Sequence, residues 1–95
     1  MEGAPSLKKD VLKELNELAE RCLGIVRGLD ADLEDGAEEM LSVGEPDLAI
    51  ADTLAIAHSH PELYARFPDD VYELAKDPRW RAIHAYLDLL EQHRG

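Results

Sequence analysis

The segment His58-Ser59-His60-Pro61 comes closer to metal chemistry than any other pattern in this chain. Two imidazoles could ligate a divalent cation, with Asp52 or Glu62 as a third donor. Ligands that share a helix face, however, are spaced three or four residues apart, and a His-x-His pair beside proline reads as a polar turn. His84 lies next to an apolar stripe and reads as a boundary residue. His93 falls in a chain end, 92–95, that is expected to fray. The one cysteine, Cys22, cannot form an internal disulfide, which agrees with a reducing compartment. It sits on an apolar stripe, whereas a catalytic thiolate needs an electropositive, partly exposed site; it reads as a small packed residue. Paired carboxylates are abundant at Glu34-Asp35, Glu38-Glu39 and Asp69-Asp70. Helix neighbours point in different directions, so these pairs read as a solvated face and not as an acid–base couple. Asp30-x-Asp32-x-Glu34 opens like a calcium loop, but Gly36 stands one place late and Leu41 occupies the twelfth position, where a bidentate acid is needed. No phosphate loop or nucleophile elbow is present. The reading is therefore a non-catalytic chain without metal or cofactor, and binding becomes the expected role.

Charge gives that role a direction. The 95 residues carry 21 acids and 10 bases, a formal net charge of −11. Residues 1–27 balance to zero and residues 66–95 to −1, whereas residues 28–65 hold ten acids and neither Lys nor Arg. Such a balance argues against nucleic acid, whose phosphates need clustered bases, and against anionic membrane surfaces. No run of about 18 apolar residues is long enough to span a membrane, and the start, Met1 to Asp10, lacks the apolar core of a signal peptide. A cytoplasmic location is expected. A basic protein partner is the complement that such a segment fits, because opposite charge speeds encounter and fixes register.

The elements that must position these residues are helices. Val11, Leu15, Leu18, Cys22, Ile25 and Leu29 recur at spacings of four and three, one stripe of a helix over about Leu7–Val26, with Ser6 as its N-cap and Gly28 at its end. A second helix is expected over Asp32–Val43, capped by Asp30 or Asp32 and ended by Gly44, with Leu33, Ala37, Met40 and Leu41 inward. A third, Pro46–Ala57, is apolar on most sides and therefore central. Pro61 can begin a further turn, and Pro68–Lys76 reads as a short helix. Asp77-Pro78 is expected to open the last one, with Trp80, Ile83, Leu87 and Leu90 inward. No strand or hairpin pattern appears. The expected fold is all-α: a compact bundle of four to five helices in a single domain spanning 1–95.

Within this frame the segment from Asp32 to Leu54 resembles the core of MafI-type bacterial immunity proteins, which are related in role to contact-dependent-inhibition immunity proteins. Glu38, Glu39, Leu41, Gly44, Glu45, Leu48, Ala49 and Leu54 carry the likeness: an acidic helix, a Gly-Glu turn and an Ala-rich helix. The resemblance implies an inhibitor that neutralises a cognate secreted toxin domain, such as a nuclease or another enzyme with a basic cleft. The candidate binding face is Asp30, Asp32, Glu34, Asp35, Glu38, Glu39, Glu45 and Asp47. Tyr64, Phe67 and Tyr72 are anchor candidates on condition that they are exposed, whereas Trp80 is assigned to the core. Two other roles compete: a helical adaptor or regulatory module that docks a partner helix in an apolar groove, and a metal-dependent enzyme centred on His58 and His60.

Overall fold

A computed structural model of the chain describes residues 3–93. The described residues form helices only: α1 (Gly3–Val26), α2 (Ala31–Ser42), α3 (Pro46–His58), a 3-10 helix (Pro61–Arg66), α4 (Asp69–Ala75), α5 (Arg81–His84) and α6 (Leu87–Gln92). The all-α expectation is met, with more and shorter pieces than were read from the sequence.

Helix α3 is the hub. Its Ala49, Ile50, Leu54 and Ala57 are fully buried, and it packs against α1, α2, α5 and the 3-10 helix. The reason is compositional: a helix apolar on most sides must be covered on most sides. Around it gather Leu18, Cys22 and Val26 of α1, Ala37 of α2, Val71 and Ala75 of α4, and Ile83 and Leu90 from the C-terminal pieces, all in one core. The turns between the first three helices use glycine where the backbone demands it. Gly28 (φ 89°) leads out of α1 and Gly44 (φ 82°) out of α2; both lie in the left-handed region that a side chain disfavours. Asp30 caps α2, its carboxylate accepting the Leu33 N–H at 3.1 Å.

Three expectations are corrected. Helix α1 begins at Gly3, so Ser6 lies inside it and not at its N-terminal boundary. Val11 (45% exposed), the first residue of the stripe, is not in the core, and neither is its neighbour Leu12 (41%). At 24 residues α1 is about 36 Å long, roughly twice the length of the 12- and 13-residue helices α2 and α3 that pack on it; its earlier turns outrun their cover. Leu29, expected on the same stripe, lies beyond the helix end and is exposed. Third, Asp77-Pro78 opens a turn, and α5 starts only after Trp80. Instead of capping a helix, the Asp77 carboxylate accepts from the Arg79 backbone N–H at 2.9 Å and grips the guanidinium at 2.7–3.1 Å. That grip holds the Asp77 carboxyl well below the usual range, at about 2. A break at Ala85–Tyr86 then splits the expected last helix into α5 and α6.

Gly36 sits inside α2, where glycine costs about 1 kcal/mol relative to alanine. A Cβ there would meet Asp52 Oδ2 at 3.6 Å, an ordinary contact. Gly36→Ala is therefore expected to raise the unfolding free energy by about 0.5–1 kcal/mol, read as a higher urea midpoint at unchanged m-value.

Candidate functional site

The acidic segment resolves into two populations. Asp32, Asp35, Glu38 and Glu39 are exposed on α2, and Glu45 is exposed in the turn that follows. Asp32, Asp35 and Glu39 fall at spacings of three and four, so they share one helix face. Like charges at these spacings repel by a few tenths of a kcal/mol per pair, a cost that an apposed basic surface would relieve. Asp47, in the first turn of α3, is half-buried.

Glu34 leaves the face. It is 8% exposed, and one carboxylate oxygen accepts the N–H groups of Gly28 (2.8 Å) and Asp30 (3.1 Å). It closes the α1–α2 turn from inside, with the Arg27 guanidinium 3.7 Å away. Asp30 is half-buried and engaged as the cap. Arg27, the last base before the base-free segment, turns back and donates to Glu38 at 2.6 Å. Glu38 is thus exposed but paired. Charge counted along the chain could not show this, because Arg27 and Glu38 meet only after the turn is made.

The aromatic anchors are also corrected. Tyr64 (1% exposed) and Phe67 (6%) are core residues. Their rings lie 6.2 Å apart, and the Tyr64 hydroxyl donates to the Leu54 carbonyl at 3.0 Å. Tyr72 is half-buried and its hydroxyl reaches Glu91 at 3.1 Å. His93, expected to fray, packs on Tyr64 with ring centroids 5.7 Å apart. A partner would meet none of these three aromatics as a free protruding side chain.

What the sequence reading missed is an open apolar groove at Trp80. Val11, Leu12, Leu15, Gly44, Pro46, Asp47 and Trp80 enclose about 410 Å³. An adjoining hollow of about 290 Å³ shares Val11, Leu15 and Trp80 and is edged by Glu14, Asp70 and Glu73. Trp80 was assigned to the core, yet it is only partly buried. The signal that was available is the length of α1 relative to its neighbours, which leaves Val11 and Leu12 facing the groove. The turn carrying Glu45 links the two features, since Gly44 and Pro46 on either side of it line the groove.

No family model, curated protein or solved structure matches the chain.

His58 is exposed and His60 half-buried at the end of α3, and among the described residues no group of three or more His, Cys, Asp or Glu is disposed to hold a metal ion. His84 donates from Nδ1 to the Ala75 carbonyl at 2.7 Å, since a carbonyl can only accept, and so joins α5 to the end of α4. Cys22 is fully buried, and burial pushes its thiol up to about 12 against the partial offset of a hydrogen bond with Thr53. Asp52 is raised by burial between α2 and α3, and its charge adds to burial in raising Tyr86. Among the described residues no helix is long and apolar enough to cross a membrane.

Proposed function

We propose that this protein is an immunity-type inhibitor that binds a cognate toxin domain and has no catalytic activity of its own. The observation that carries the reading is the exposed stripe Asp32, Asp35 and Glu39, continued by Glu45, in a segment without Lys or Arg. The resemblance of residues 32–54 to MafI-type immunity proteins supplies the class of partner. The stripe faces a basic surface around the toxin's substrate cleft and excludes an anionic substrate by occupying it. Glu34 and Asp30 act indirectly, by holding α2 at its angle to α1.

The test uses the toxin domain encoded beside this chain's gene. Asp35→Lys combined with Glu39→Lys is expected to lower the association rate about tenfold or more at low ionic strength, the effect shrinking as salt rises. Glu38 is left alone because Arg27 already pairs with it. Binding unchanged by the double reversal would remove the acidic-face mechanism, and the lack of any neighbouring toxin partner would remove the immunity role.

A second reading, a non-catalytic helical adaptor or regulatory module, is favoured by the groove at Trp80. Both readings make the chain a protein-binding module.

A further inference from the structure

We infer that the groove at Trp80 receives a basic, amphipathic helical segment of the partner protein. The apolar side of that segment lies on Val11, Leu12 and Trp80, and its Lys and Arg residues face Glu14, Asp47 and Asp70. The inference rests on the reading of the chain as a protein-binding module, and it does not depend on the partner being a toxin.

Three observations support this occupant. The floor is apolar and open: Val11 and Leu12 stand 45% and 41% exposed beside a partly buried Trp80. A large aromatic next to exposed aliphatic side chains is the usual core of a binding hot spot. Among the described residues that line the two hollows the charged ones are Glu14, Asp47, Asp70 and Glu73, all acids. Glu73 has Lys76 at 3.2 Å and is left out of the account; the other three remain as the basic segment's complement. Finally, the described residues offer helices and no sheet edge, so the available mode is a helix laid in a groove. A second copy of this chain is a poor occupant, since each copy brings a net charge of −11 to the same acidic rim.

The chain carries its own probe, because Trp80 is its single tryptophan. The full chain is titrated with a synthetic 18-residue peptide of Leu and Lys, with Leu on one helical face. A peptide of identical composition in permuted order and a version with Glu in place of Lys serve as controls. The expected result is a saturable blue shift of Trp80 emission with the amphipathic Lys peptide alone, weakened about tenfold or more when salt is raised from 50 to 500 mM. Leu12→Gln and, separately, Asp70→Lys should each weaken it several-fold while circular dichroism stays unchanged. Neither site is in the core, so folding is preserved in at least one variant. Asp35→Lys with Glu39→Lys should weaken peptide binding far less than Asp70→Lys does, most clearly at about 150 mM salt, which separates the groove from the acidic face of α2. The proposal is overturned by an unshifted Trp80 emission, by equal binding of the permuted or Glu peptide, or by affinity indifferent to both Leu12→Gln and Asp70→Lys. Loss of toxin binding in the α2 variant with no peptide response would retain the acidic-face reading and reject this one.

Discussion

Glu34→Ala is expected to lower the unfolding free energy by about 2–3 kcal/mol. The substitution strips the acceptor from two backbone donors at once, Gly28 N–H at 2.8 Å and Asp30 N–H at 3.1 Å. Leaving a buried donor without a partner costs about 1–3 kcal/mol each, and partial water access in this turn holds the sum toward the lower end. Gly28 cannot shift to find another acceptor cheaply, because its φ of 89° fixes the exit from α1. Glu34→Gln keeps one carbonyl oxygen for the same donors and gives up only the charge near Arg27, so it should lose about half as much. For a domain of this size each kcal/mol corresponds to roughly 4–8 °C in Tm, and the two variants should separate clearly in a thermal scan. A Glu34→Ala variant as stable as the parent would mean that the turn is held by Asp30 and the glycine alone.

The same residue shows where sequence reading stops. Ten acids without a base between residues 28 and 65 are visible in the sequence, and so is the helix that carries half of them. Which of them face outward is less visible. Glu34 differs from Asp35 by one position, about 100° around α2, and that rotation separates a buried acceptor from an exposed charge. Asp30 was legible as a cap because capping is a local rule linking a side chain to an N–H three residues on. The Glu34 contact to Gly28 and the Arg27 pair with Glu38 span a turn, and their geometry depends on how α2 leaves α1.

Apolar periodicity showed the same limit. It placed Leu15, Leu18, Cys22, Ile83 and Leu90 on inward faces, and all five are buried, because neighbouring elements cover those turns. Val11 obeys the same spacing and stays exposed, because periodicity gives the face of a helix and not the length of its cover. Trp80 failed in the opposite sense: its type suggested core, whereas the turn at Asp77–Arg79 leaves it partly buried in the apolar lining of a groove. Tyr64 and Phe67 lie in and beside a 3-10 helix too short for periodicity to assign a face, and tertiary packing buried both. The candidate site was therefore half legible. Its exposed acids were readable from composition, and its apolar half arises where three elements that are distant in sequence end at different heights.

Alkaline solution should unfold this protein in a window set largely by two buried groups. The Cys22 thiol rises from 9.0 to about 12 on burial, and the Tyr64 hydroxyl rises from 10.0 to about 12, by burial first and then by Tyr86. Both native values exceed the unfolded ones, so the unfolded chain releases these protons first. The stabilisation is complete below about pH 9 and is lost as pH climbs toward 12, each group costing up to about 1.4 kcal/mol per pH unit inside its own window. Urea midpoints should therefore stay level between pH 7 and 8.5 and fall steeply above pH 9.5. Cys22→Ala removes the first of the two slopes. It starts from a lower stability, because the sulfur leaves a small cavity, but it should decline less between pH 9 and 10. The raised thiol leaves far less thiolate at neutral pH than in an unfolded chain, and full burial adds a barrier of access. A thiol reagent should consequently read global opening: negligible modification of the native protein at pH 8, and complete modification in denaturant. Rapid labelling of the native protein would place Cys22 in an opening smaller than the whole fold, and would show that α1 separates from α3 before the rest of the core.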